Sequence, residues 1–253
     1  MAYANNIPWI GEHDPLPLAT SASTDALKAP KGLIAAGGGL STRRLVEAYS
    51  HGIFPWYSQG QPVLWWSPSP RMVLEIDNFK LHRSMRKTLQ KFVDQPHTGV
   101  RFNTSFDQVI GHCASFARPG QSGTWIVQDM VAAYQALHRA GFAHSVETWV
   151  DGALVGGLYC VSIGKAVFGE SMFALQTDAS KIALCALVAF CKAHHITWID
   201  CQQNTRHLES LGAQEVAQTV FLQAVAQAVP QSPPSWDFLP LYWKNILSIP
   251  NAS

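Results

Sequence analysis

Phe168-Gly169-Glu170-Ser171-Met172-Phe173 and Ile199-Asp200-Cys201-Gln202 set two carboxylates and an amide inside runs that otherwise read as buried β-strand. Residues 178–195, between them, have the length of one helix. The three segments together predict a strand, a crossover helix and a parallel strand. Side chains alternate along a strand, which points Asp200 and Gln202 to one side, roughly 7 Å apart. If the strands are neighbours, Glu170 faces the same space, and Phe168 and Met172 share its strand face. Such convergence reads as a site. The plain alternative is a set of satisfied polar groups at the end of a sheet.

Working outward, three strand-like runs precede the crossover, at residues 144–150, 153–162 and 165–173. Asp151-Gly152 and Ile163-Gly164 supply the turns of an antiparallel meander. Helices are expected at 81–92, at 129–140 with Gly141 as its C-cap, and at 216–229. Nearer the N-terminus, Gly37-Gly38-Gly39 precedes Ser41, an N-cap for a short helix over 42–50. Residues 1–30 are rich in Pro, Ser and Ala and read as an irregular lead-in. Prolines and tryptophans crowd residues 51–71, which fits extended, aromatic-faced backbone rather than a long helix. The class is α+β: a small N-terminal domain over 1–77, then a domain over 78–253 with a mixed, mainly antiparallel sheet. A meander running into a βαβ crossover is the strand order of N-acetyltransferase-like (GNAT-type) folds, an analogy of fold and not of activity.

The 253 residues are 47% apolar and 14% charged, which excludes disorder and permits a sizeable core. With 18 basic against 17 acidic residues, any nucleic-acid partner must be met by a local patch. One candidate is the helix over 81–92, whose polar side carries Arg83, Arg86, Lys87 and Lys91; no acid lies between Asp77 and Asp94. A charge run of this kind is also what a solvated helix face looks like. The five cysteines form no Cys-x-x-Cys pair and sit among apolar neighbours, which favours reduced thiols and a cytoplasmic setting. No run is long and apolar enough to suggest a membrane span. The ten histidines show no metal-ligand spacing, so no metal is expected.

Several blocks carry a resemblance. They include His51-Gly52-Ile53-Phe54-Pro55-Trp56-Tyr57, Leu64-Trp65-Trp66-Ser67-Pro68-Ser69-Pro70-Arg71, Gly123-Thr124-Trp125-Ile126, His144-Ser145-Val146-Glu147, Leu154-Val155-Gly156-Gly157, the two strands quoted first, and Ser210-Leu211-Gly212-Ala213. Collinear from about residue 30 to 215, the chain resembles the leucyl/phenylalanyl-tRNA–protein transferases. The resemblance implies an aminoacyltransferase that moves Leu or Phe, less readily Met, from aminoacyl-tRNA to the α-amino group of proteins beginning with Arg or Lys. The product is marked for N-degron degradation. It implies no cofactor, because the tRNA ester is already activated.

The resemblance also assigns the chemistry to Asp200, Gln202 and Glu170: Asp200 orients Gln202, Gln202 handles the incoming amine, and Glu170 binds or orients a substrate amine. For the donor side chain the apolar candidates are Trp125, Phe168 and Met172, then Leu158 and Ile199, with Ser171 beside them. Trp56, and less so Trp65 and Trp66, could stack on the terminal adenosine; packing around the prolines is the alternative. Arg83, Arg86, Lys87 and Lys91 become the phosphate contacts. Gly39 stands where the family pattern has Asp, and residues 203–206 also depart from it.

Two rivals share parts of this pattern. A coenzyme A-dependent acetyltransferase needs a Gly-rich nest for pyrophosphate before the crossover helix, yet residues 174–181 contain no glycine. A non-catalytic RNA-binding module would need no buried Asp, Gln and Glu together.

Overall fold

The computed structural model describes residues 7–21, 30–115 and 126–248. Two sheets organise them. The smaller contains β1 (Trp9–Ile10), β2 (Leu33–Gly37), β3 (Phe54–Pro55) and β4 (Leu64–Trp66), in the order β1-β2-β4-β3. Helix α1 (Thr42–Ser50) joins β2 to β3 and begins at Ser41, whose hydroxyl accepts the Arg44 N–H at 3.3 Å, the predicted cap.

The larger sheet has seven strands: β5 (Arg71–Glu75), β6 (Thr98–Phe102), β7 (Ala143–Val150), β8 (Ala153–Ile163), β9 (Ala166–Ala174), β10 (Trp198–Gln202) and β11 (Gln214–Val216). Their order is β11-β5-β10-β9-β8-β7-β6. Within this sheet, among the described residues, only β9 and β10 pair in parallel, joined by the crossover helix α5 (Ala179–Ala193). The α+β class and the mixed, mainly antiparallel sheet are thus as the sequence implied. The strand–helix–strand reading of the two opening segments holds as well.

The remaining helices are α2 (Arg83–Asp94), α3 (Phe106–Ser115), α4 (Gln128–Arg139), α6 (Arg206–Ser210), α7 (Gln218–Ala228) and α8 (Lys244–Leu247). One apolar core holds residues of α1, α3, α4 and α7; the other holds residues of α2, α5 and the C-terminal aromatics Trp236 and Trp243. Helix α5 is apolar all round because its outer side is covered by that C-terminal segment, Asn245 donating to the Ala189 carbonyl. Gly156 on β8 makes close approach possible: a Cβ there would lie 2.5 Å from that of Ala179 at the start of α5.

By strand pairing, residues 71–75 belong to the larger sheet, because β5 lies between β10 and β11. These residues lie on the N-terminal side of the division expected at 77/78, yet they pair with strands from beyond it. Local sequence could not show this, since the partner of Arg71 lies 129 positions away at Asp200.

Candidate active site

Strands β9 and β10 pair only at Ile199 with Val167 and at Asp200 with Phe168, and beyond that point no further pairing is made. Two irregularities lie at the parting. Between β8 and β9 the register shifts: Ser171 faces Tyr159 and Gly169 faces Cys160, which leaves Glu170 as the extra residue of a bulge. Between β10 and β5 it shifts again from Asp200 to Gln202, and Gln202 has φ +63°, in the left-handed region.

The bulges correct one expectation. Phe168 and Glu170 do lie on the same side, but Met172 packs into the other core, because the inserted residue reverses the alternation. Phe168 is fully buried, its ring 5.1 Å from that of Tyr49 and 6.1 Å from that of Trp198. It supports the site from below and does not line the cleft.

Glu170 sits among donors. Its Oε1 accepts from Gln202 Nε2 at 2.9 Å and from the Tyr49 hydroxyl at 2.8 Å, and its Oε2 contacts the Tyr134 hydroxyl at 3.3 Å. The two phenols also touch each other closely. These three oxygen–oxygen contacts require three protons, and two phenols carry only two. A protonated Glu170 supplies the third. In agreement, burial pushes the Glu170 carboxyl up to about 8, and the Asp200 charge adds to the rise against the lowering effect of Tyr49, Tyr134 and Arg71. Burial likewise holds both tyrosines far above their ordinary range, so they remain phenols and donate.

Asp200 is different. It is completely buried and accepts Arg71 Nε at 2.8 Å and Nη2 at 2.6 Å, one bond to each oxygen. Its Oδ1 also accepts the Gln202 backbone N–H at 2.9 Å. The guanidinium lies between two rings, 4.7 Å from the centroid of Phe54 and 4.5 Å from that of Phe221. Asp200 and Gln202 fall on one side as anticipated, but only Gln202 and Glu170 reach the site directly. Asp200 acts on Gln202 through its backbone.

Beside Glu170 opens a cleft of about 270 Å³. Its apolar wall is Leu74, Leu158, Met172, Leu184, Leu187 and Ile199, with Gly169, Ser171 and Cys201 alongside and the exposed Thr205 and His207 from the α6 region. Leu158, Met172, Ile199 and Ser171, named from the sequence as candidates for the donor side chain, line this cleft. Trp125 lies outside the described residues.

The tryptophans separate. Trp65 is fully buried and donates to the Gly37 carbonyl, a core role. Trp56 is 37% exposed and tilts against Trp66 at 5.6 Å, and the Trp66 indole donates to the Trp56 carbonyl. On α2, Arg83, Lys87 and Lys91 are exposed. Arg86 instead turns in and donates to the Leu247 carbonyl at the end of α8, so it is a structural tie more than a free phosphate ligand. The helix begins close to the cleft: the His82 ring bonds the Ser210 carbonyl, and Lys80 N–H donates to that of Leu211.

Tyr49, Tyr134 and Arg71 were not named as site residues from sequence. Arg71 ends a quoted motif, which was its only signal; the tyrosines lie 121 and 36 positions from Glu170 and gave none. Among the described residues no group of three His, Cys, Asp or Glu side chains could hold a metal, and no helix is long and apolar enough to cross a membrane.

The family model described as leucyl/phenylalanyl-tRNA protein transferase matches residues 73–226, and that for the N-terminal domain of the same family matches 38–69. A leucyl/phenylalanyl-tRNA–protein transferase from Polaromonas sp. is 60% identical over 98% of this chain and 93% of its own length. Among solved structures, L-PGS from Bacillus licheniformis aligns with a TM-score of 0.41 at 10% identity, covering 63% of this chain and 64% of that one. A GCN5-related N-acetyltransferase from Kribbella flavida aligns at 0.32 and 12% identity, covering 67% and 58%.

Proposed function

Because the chain belongs to the leucyl/phenylalanyl-tRNA protein transferase family, we propose that it moves Leu or Phe, and less readily Met, from aminoacyl-tRNA to the α-amino group of proteins beginning with Arg or Lys. The observation that carries this reading is Glu170, a carboxyl shared by two phenols and the Gln202 amide at the lip of an apolar cleft.

The donor side chain enters the cleft between Leu158, Met172 and Ile199, where an unbranched Cβ fits and β-branched Ile or Val is rejected by shape. The ester carbonyl then lies near Gln202 and Glu170. An N-terminal ammonium must give up a proton before its nitrogen can attack. In its ionised form Glu170 is the carboxyl suited to take it, since Asp200 has both oxygens committed to Arg71. Its pKa near 8 matches that of an α-amine, so transfer in either direction is nearly balanced. Nitrogen bonds to the carbonyl carbon, the bond to the ribose oxygen breaks, and the proton held by Glu170 passes to that leaving oxygen. The nitrogen gives up its second proton to the Glu170 carboxylate so regenerated, from which it is lost to solvent. Gln202 orients the amine, and Asp200 orients Gln202. Holding both substrates in this geometry supplies much of the rate. The products of such a reaction are N-degrons, formed in the cytoplasm where aminoacyl-tRNA is available.

The test supplies radiolabelled Leu-tRNA with an Arg-initiated peptide and with its N-acetylated form. Label is expected on the free peptide alone, and its loss with Gln202→Ala would locate the reaction. Tight tRNA binding without transfer would overturn the reading in favour of a non-catalytic RNA-binding module.

The exposed cations of α2, with Trp56 at the terminal adenosine, are assigned to the tRNA. Lys87→Gln and Lys91→Gln should each weaken binding of any tRNA to a similar degree and flatten the log affinity against log salt plot by about one unit or less. Arg86→Gln should instead act on stability through its lost bond to Leu247. A salt slope unchanged in both lysine variants would remove α2 from the RNA contact.

A further inference from the structure

Arg71 is an expensive way to fill a core position. It is 1% exposed, flanked by Phe54 and Phe221, and one of its guanidinium nitrogens, Nη1, is buried with no hydrogen-bond partner among the described residues. Packing alone would be served better by an apolar side chain, because an enclosed ion pair seldom outweighs its desolvation. What an apolar residue cannot do is hold a carboxylate by two parallel bonds. Asp200, so held, has its Oδ1 fixed where it accepts the N–H of Gln202.

That N–H belongs to a residue in an uncommon conformation. Gln202 lies just past a register shift at φ +63°, a conformation unfavourable to a non-glycine residue and held only where its surroundings impose it. The same backbone turn carries the side chain to Glu170, with Nε2 at 2.9 Å from Oε1. The chain of contacts is continuous from Arg71 through Asp200 and the Gln202 backbone to the Glu170 carboxyl.

We infer that Arg71 is a positioning residue for the transfer reaction: its two-pronged hold on Asp200 fixes the left-handed turn at Gln202 that aims the glutamine amide at Glu170. Arg71 itself touches no substrate. The inference rests on the aminoacyl-transfer reading given above and adds to it where the geometry of the reacting groups originates. Since Arg71 opens β5 and stacks on Phe54 of the small sheet, it also makes the alignment depend on how that sheet is seated.

A mutant cycle tests it. The full chain is compared with Arg71→Lys, Arg71→Met, Gln202→Ala and the two double variants, with kcat and KM measured separately for Leu-tRNA and an Arg-initiated peptide. Arg71→Met should lose about 100-fold in kcat, the cost of misplacing a reacting group by an ångström, while KM for Leu-tRNA stays within about threefold. Arg71→Lys keeps the charge but not the fork, and should lose a similar factor. Adding Gln202→Ala to either should cost no more than Gln202→Ala alone, because both act through the same amide. A merely structural arginine would give effects that multiply, and that result would overturn the inference, as would a wild-type kcat in Arg71→Lys or a loss confined to KM. Should Arg71→Met fail to fold, the Lys cycle decides by the same criteria. An inactive wild-type chain would instead sink the transfer reading on which the cycle depends.

Discussion

Glu170→Gln should lower the rate of transfer by about 100- to 10,000-fold and at the same time raise the melting temperature at neutral pH. The two effects have one origin. In the folded protein the Glu170 carboxyl is enclosed by Tyr49, Tyr134 and Gln202, and burial raises it from its ordinary 4.5 to about 8. Between those values the folded state holds a proton that the unfolded state has released, so stability falls as pH rises across that interval and levels off above 8. Glutamine has the shape of the protonated acid. Its oxygen can accept from Gln202 and Tyr49, and its amide can donate to Tyr134, which satisfies the three contacts without ionisation. The variant should therefore match wild type in melting temperature near pH 4.5 and exceed it by about 10 °C by pH 8, at roughly 2–4 °C per kcal/mol for a chain of this size.

The rate should move the other way. The carboxylate is the form that accepts a proton, so kcat for wild type should rise with pH up to about 8. The acceptor amine titrates in the same range, and the two are separated by repeating the profile with an acceptor of lower α-amine pKa. A limb that stays in place belongs to Glu170; one that moves with the acceptor leaves Glu170 no part in proton transfer. Melting curves at several pH values, with single-turnover rates, check both halves. A Glu170→Gln protein that is both slower and less stable would contradict this account of the site.

How much of this was open to a reader of the sequence depends on the range of the interaction. The strand–helix–strand frame was legible because periodicity and length are local properties, and the α5 crossover fell where residues 178–195 placed it. The same local rules failed at Met172. Strict alternation assumes an unbroken ladder, and the extra residue at Glu170 is set by pairing with β8, not by anything in β9 itself. Strands β6 and β11 escaped for a related reason, since edge strands with half-exposed residues carry little pattern. The tyrosines had no local signature at all: Tyr49 is an apolar-face residue of α1 until the fold brings Glu170 to its hydroxyl. Resemblance to the family singled out Glu170, Asp200 and Gln202 as candidates, and the fold shows how they are joined.

That joining makes Asp200 the other position of large effect. Asp200→Ala removes both bonds to Arg71 and leaves a guanidinium enclosed between Phe54 and Phe221 with no counter-ion. Stranding a buried charge costs about 3–5 kcal/mol, which corresponds to a fall in melting temperature of roughly 10 °C. The replacement of both partners by apolar side chains, Arg71→Met with Asp200→Leu, strands nothing. It should recover most of the lost melting temperature, short of about 1 kcal/mol for the Gln202 N–H that loses its acceptor. Neither protein should transfer Leu at a measurable rate, because the turn at Gln202 is no longer held. Stability restored without activity would assign the ion pair to geometry, and the energetic penalty of the arrangement would then be one the fold carries for the alignment of Gln202 with Glu170. A double variant as unstable as Asp200→Ala would mean that the pair is itself a source of stability, and that this corner of the sheet depends on it to fold.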